Sequence, residues 1–310
     1  MDFGMTLPDN PLINSTLGLI NGDLFAQKII MGDGSQWGSD SSLTLATIAS
    51  LSNGYILTDI MTQFSYWYTT GAYTADGAPQ TAGDVTRLAI ENFRQTQDPF
   101  TSGGRDVQDN ANGSLLRITP VVLFLYAKYG SDFIHDDPAM LTLHQIGGLT
   151  HNHPRSLIAL GMYAMLINGL LTGMKLPEAF DFAISNAYEY YAKHAVFADE
   201  LEAFESLNTP DFENMPINEI HASGYVVDTF AATVWVLLNS DNFEDALTLA
   251  SGMPGEPMRI MPLVGAVAGL MYGKDALPTA WLNNHEKDIV TRILETADQS
   301  GEFVCPTPEN

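Results

Sequence analysis

Cysteine is almost missing from this chain. Cys305 is the sole one in 310 residues, so no intramolecular disulfide can form. It lies in the polar stretch SGEFVCPTPEN, a poor setting for a catalytic thiol, and the count fits a reducing compartment. Basic residues are scarce too: 13 Lys and Arg face 37 Asp and Glu, for a formal charge of −24. A surface of that sign repels phosphates, which argues against sequence-independent nucleic-acid binding and against docking on anionic lipid. The N-terminus, MDFGMTLPDNPLINSTLG, lacks the basic region and apolar run of a secretory signal. No stretch reaches the roughly 18 apolar residues expected of a membrane span. The expected location is the cytoplasm.

Strict apolar–polar alternation is also nearly absent, which disfavours a sheet. Apolar residues instead recur at three- and four-residue spacing in ten segments, from LTLATIASLS to EKDIVTRILETAD. The spacing predicts an all-α protein of ten or more helices. No repeat of 30 to 50 residues recurs and no long linker interrupts the chain. A single domain over 1–310 is expected, with its core at about 10–297 and a tail at 298–310. Between His194 and Met258 there is no Lys or Arg. The acidic stretch from Phe197 to Glu219 within it reads as an exposed insertion.

Four polar segments interrupt the helices. WGSDSSLTLA places Ser39, Asp40, Ser41 and Ser42 ahead of a helix, where an N-cap is the plain reading. NANGSLLRITP carries Asn112, Gly113, Ser114 and Arg117; a glycine-rich turn opening a helix offers backbone N–H groups to a phosphate, but the Walker lysine is missing. LTHNHPRS brings His151 and His153 to a helix entry, with no third histidine or cysteine nearby to complete a metal site. GYVVDT sets Tyr225 before a helix, as an aromatic platform or as core. A fifth segment, GEPMRIMPLVGAVAGLMYG, joins a charged turn with Glu256 and Arg259 to a small-residue helix built for close packing.

In this order and register, these segments resemble the ADP-ribosylglycohydrolase family over roughly residues 10 to 297. STLGLINGDLFAQ resembles that family's first helix, with its Gly-Asp at Gly22 and Asp23. The resemblance implies a compact all-α bundle that hydrolyses the glycosidic bond between ADP-ribose and a side chain or small leaving group. It also implies two magnesium ions, held between a Thr-Asp-Asp and an Asp-x-Asp-Thr pattern. Magnesium is a hard ion that wants oxygen ligands, and a metal pair can orient ribose hydroxyls and polarise water.

Transferred position by position, the metal pattern is broken. Ser39, Asp40, Ser41 and Ser42 stand for its first motif; Glu256, Met258 and Arg259 for its second. The glutamate that bacterial members carry soon after the first helix falls near Ile30. Two acids are lost and one cation gained, a shift of +3. Each unit interaction is worth roughly 4 kcal/mol at about 4 Å and an effective dielectric near 20. Magnesium is therefore expected to bind weakly through Asp40 and Glu256, or not at all, and no other cofactor is implied.

Arg259 is expected to point at the old metal volume. It either recognises a ligand there or neutralises two leftover acids, Asp40 and Glu256. Three functions stay open. The first is a hydrolase with Asp40 or Glu256 as base. In it Ser39, Ser41, Ser42, Asn112, Gly113, Ser114, His151, Tyr225 and Arg259 line the site for ADP-ribose or an ADP-ribosylated partner. The second is a non-catalytic ADP-ribose sensor, and the third a protein-interaction scaffold.

Overall fold

A computed structural model describes residues 9–32, 36–278, 282 and 284–306. Fourteen α-helices run through them. The first seven are α1 (Pro11–Met31), α2 (Ser39–Leu51), α3 (Leu57–Thr70), α4 (Asp84–Thr96), α5 (Gly113–Leu116), α6 (Thr119–Tyr129) and α7 (Asp137–Gly148). Then come α8 (Pro154–Leu171), α9 (Leu176–Ala192), α10 (Ala195–Ala198), α11 (Val226–Leu238), α12 (Phe243–Ser251), α13 (Met261–Tyr272) and α14 (Asn284–Ser300). Among the described residues, β pairing is limited to three isolated bridges.

Local chemistry sets several of the helix ends. Asn10 caps α1 by accepting from Ile13 N at 2.9 Å, and Pro11 opens the helix. Asp136 caps α7 from Ala139 N at 2.8 Å, and Asn242 caps α12 from Asp245 N at 3.0 Å. Hydrophobic coverage decides which helices lie inside. α1, α6, α8 and α13 are buried along most of their length and form the centre, whereas α4 buries one stripe of Thr86, Ala89, Ile90 and Phe93.

The tightest contact joins α1 to α13. Gly18 and Gly22 on one helix meet Gly265 and Gly269 on the other, each pair four residues apart and therefore on one face. A β-carbon at Gly18 would lie 2.1 Å from Gly265 O, and one at Gly265 would lie 2.2 Å from Gly18 O. The two backbones touch with nothing between them. Asp23 follows Gly22 on α1, and the Glu256–Arg259 turn precedes α13, so this contact brings both to the same end of the bundle.

Three sequence expectations need revision. The acidic stretch is not a free insertion: Leu201, Phe204, Leu207 and Phe212 are buried, and the segment winds as a 3-10 run over Asp199–Asn208. α8 does reach the length and hydropathy of a membrane span, with a mean of 1.3 over 18 residues, but most of it is buried among other helices. The position 297 falls inside α14, which continues to Ser300; beyond it Phe303 is buried against Phe124, with ring centres 6.1 Å apart. Cys305 is half-buried there, and burial pushes its thiol up to about 11.

Gly265→Ala should destabilise the protein by about 1–3 kcal/mol, because the added methyl has only backbone to displace. Gly252→Ala, where the nearest atom to a β-carbon is 3.6 Å away, should cost far less. Urea unfolding of both variants checks this.

Candidate functional site

Four loops meet at one end of the bundle, and backbone pairing stitches three neighbouring pairs of them together. Gly104 bridges His151, with Gly104 N donating to Thr150 O at 3.0 Å and Asn152 N to Gly104 O at 2.6 Å. Ala111 bridges Tyr225, with Asn112 N donating to Gly224 O at 2.9 Å and Val226 N to Asn110 O at 3.0 Å. Ala222 bridges Gly255, and Glu256 N donates to Ala222 O at 2.7 Å. Segments 104–112, 150–153, 222–226 and 254–259 thus form one continuous rim.

Asp40 faces this rim from the first turn of α2. It is not before the helix, as expected, but inside it, since α2 starts at Ser39. The cap also comes from elsewhere. Gly38 occupies the N-cap position, and Asp23 of α1 accepts from Gly38 N at 2.9 Å, Ser41 N at 3.2 Å and Ser41 Oγ at 2.6 Å. Gln27 adds a fourth donor at 3.3 Å. A buried carboxylate at a helix N-terminus satisfies orphan N–H groups and meets a favourable dipole. Burial outweighs those donors and raises the Asp23 pKa above its ordinary value.

Asp40 carries the central charge. It keeps a partly exposed surface, yet its carboxyl is closely surrounded by protein. Desolvation first, then the charge of Asp23, push it up to about 7, against the lowering pull of Arg117 and then Arg259. Among the described residues, no hydrogen bond reaches the Asp40 carboxylate.

Arg117 is the buried cation opposite. Its guanidinium donates to Gly113 O and Thr150 Oγ1 and lies 5.2 Å from the centre of the Phe64 ring. Burial lowers its pKa to about 10, which leaves it charged at neutral pH. Thr150 Oγ1 accepts from Arg117 and also hydrogen-bonds His151 Nδ1 at 2.8 Å. Burial, and then Arg117, hold the His151 pKa well below the usual range, so it stays neutral.

The other expected residues divide. Ser41 and Ser42 are fully buried, Ser41 bonded to Asp23 and Ser42 to Gly38 O (3.1 Å) and Gln80 Oε1 (3.0 Å); neither is placed to contact a ligand. Ser39, by contrast, is partly exposed. Asn112 is largely spent on structure, its amide donating to Thr229 Oγ1 at 2.9 Å and Arg259 O at 3.0 Å. A β-carbon on Gly113 would lie 3.1 Å from the His151 ring, so glycine permits that approach. Ser114 is buried with no partner for its hydroxyl. His153 caps α8, accepting from Arg155 N at 3.2 Å. Tyr225 is half-buried, and its hydroxyl accepts from Arg155 Nη1 at 3.0 Å.

Arg259 does not fill the centre. Its side chain is 55% exposed, and Nε lies 3.9 Å from Glu256 Oε2, itself 59% exposed. The pairing with Glu256 is present but loose, and the principal cation beside Asp40 is Arg117, which sequence reasoning left outside the site. Asp23 was missed in the same way. Ile30 lies in the last turn of α1, exposed, rather than in a loop after it. Among the described residues, no group of three or more His, Cys, Asp and Glu side chains could hold a metal ion.

The ADP-ribosylglycohydrolase family model matches residues 9–306, nearly the whole chain. The chain belongs to that family. It is 24% identical over 295 residues to the ADP-ribosylarginine hydrolase Tri1 of Serratia proteamaculans (strain 568), covering 93% of this chain and 74% of that protein. It is 22% identical over 263 residues to the ADP-ribosyl-[dinitrogen reductase] glycohydrolase of Rhodospirillum rubrum, covering 84% and 76%. A solved structure titled ADP-ribosylglycohydrolase-related protein complex superposes with a TM-score of 0.68 at 23% identity, over 94% of this chain and 98% of that one. The all-α fold expected from the sequence is therefore the fold of this family.

Asp40 binds more protons folded than unfolded between about pH 4 and 7, so its ionisation lowers stability as pH rises through that window. Asp40→Asn removes this penalty. The variant should melt higher than the parent at pH 8, and the gap should close towards pH 4. Paired thermal melts across that range check the sign.

Proposed function

We propose that this protein binds ADP-ribose or an ADP-ribosylated substrate at the stitched loop rim, without the family's pair of magnesium ions. The observation that carries the reading is the 2.6 Å bond from Ser41 Oγ to Asp23 Oδ2. The position that supplies a second acid in the family pattern here turns inward and spends its hydroxyl on a buried carboxylate. Asp23 in turn is committed to four donors, and Glu256 sits exposed beside Arg259. What remains is one uncommitted carboxylate, Asp40, facing a buried arginine. That donor set does not fit two ions that each demand near-octahedral oxygen coordination.

In the hydrolytic form of this reading, ionised Asp40 is the general base. It takes a proton from water as the oxygen attacks the anomeric carbon of the ribose, while the glycosidic bond breaks and its electrons leave with the departing group. The nearby charge of Arg117 supports the ionised state of Asp40. His151 stands beside Arg117 as a neutral imidazole. The non-catalytic form keeps the same binding and lacks turnover; the exposed Ile30, where the family pattern places a catalytic acid, favours it. The cytoplasm fits both forms.

Calorimetric titration of ADP-ribose should give the same affinity, within about twofold, in magnesium and in EDTA. Binding that needs magnesium would overturn the metal-free reading, and absence of binding in both buffers would remove the ligand. Release of ADP-ribose from ADP-ribosylated arginine in EDTA, abolished by Asp40→Asn, would select the hydrolase; no release would select the sensor. A triple variant, Ser41→Asp with Met258→Asp and Arg259→Thr, should be less stable than the parent in EDTA, because it sets a second carboxylate against Asp23. Magnesium should restore its melting temperature and leave the parent's unchanged.

A further inference from the structure

We propose that Arg155 is a specificity-determining residue that reads the diphosphate of the ligand, and that Glu200 is the positioning residue that holds it. The inference rests on the reading above, that the rim takes an ADP-ribosyl group. Arg155 is the second residue of α8, two positions after the His153 cap. Its guanidinium lies 5.9 Å from the centre of the Tyr225 ring, and Nη1 donates to the Tyr225 hydroxyl at 3.0 Å. From the other side, Nε donates to Glu200 Oε2 at 2.7 Å. His153 Nε2 stands 3.9 Å from Glu200 Oε1.

A guanidinium carries five N–H donors. Two are committed here, and among the described residues no other bond is made by the group, so three remain for a ligand. The side chain is 23% exposed, walled by Tyr225 and Glu200 but open to solvent. Such an arginine has its orientation fixed before a ligand arrives, which reduces the entropy cost of binding. A planar fork with adjacent free donors matches two oxygens of a phosphate.

Charge makes the assignment selective. On a chain of net −24, a dianionic linker needs a local cation. Arg117 is buried with its donors on Gly113 O and Thr150, and Arg259 is loosely placed beside an acid. Arg155 combines a fixed direction with unspent donors. Glu200 explains one use of the acidic segment: it comes from the 3-10 run over Asp199–Asn208, anchored by buried Leu201 and Phe204, and reaches back to the rim.

The test compares ADP-ribose with adenosine, which lacks the phosphates, on the full chain by calorimetry. Arg155→Gln should weaken ADP-ribose by about 10-fold or more and adenosine by less than about twofold, in line with loss of charged hydrogen bonds. Arg155→Lys should fall between, keeping charge without the fork. Glu200→Gln should weaken ADP-ribose severalfold with adenosine again spared. Equal losses for both ligands would show that Arg155 merely braces Tyr225, and no loss would show that it is idle; either overturns the assignment. If the parent itself binds no ADP-ribose, the reading of the rim fails, a result distinct from a parent that binds and variants that do not differ.

Discussion

The contact of α1 with α13 governs the geometry of everything at the loop end. Two pairs of glycines let the backbones meet, so the separation of the helices is set by main chain rather than by adaptable side chains. Interiors are close-packed and transmit displacement, so a wider crossing would not be absorbed locally. Asp23 rides on one of these helices and the Glu256–Arg259 turn leads into the other. The cap on α2, and through it Asp40, therefore inherits its position from a contact made by backbone at glycines.

From there the electrostatics follow. Asp23 is buried at the start of α2 with four donors on its carboxylate. Asp40 beside it is lifted towards neutrality, and Arg117 supplies the opposing charge from beneath the Thr150–His151 loop. One buried arginine is a simpler partner for one carboxylate than two divalent ions are. The same arginine donates to Thr150, whose hydroxyl also hydrogen-bonds His151, so both polar groups of that loop are tied to one cation.

Much of this was legible in the sequence. Helical periodicity gave the architecture, the small residues of GEPMRIMPLVGAVAGLMYG reflected close packing, and the ordered motifs marked the loops that meet; the glycines of α1 that receive that helix went unread. What stayed hidden depends on residues distant in the chain. A helix cap usually comes from the residue at the helix start, so Ser39 to Ser42 read as self-capping; the actual cap lies 15 residues upstream on another helix. Arg117 looked like part of a glycine-rich loop because nothing local tells which way it points. The link from Arg155 to Glu200 spans 45 residues and crosses into a stretch whose acidity suggested plain exposure. Arg259 drew attention by isolation in sequence, but a turn on the rim leaves it in solvent.

The proposal to be tested is that a buried arginine and redirected side chains stand in place of the family's pair of metal ions. Manganese is a paramagnetic substitute for magnesium, and free Mn²⁺ can be counted by electron paramagnetic resonance. The measurement is a Mn²⁺ titration of the protein with saturating ADP-ribose. The account predicts that no manganese is retained at stoichiometric concentrations. Two tightly held ions per chain would contradict it.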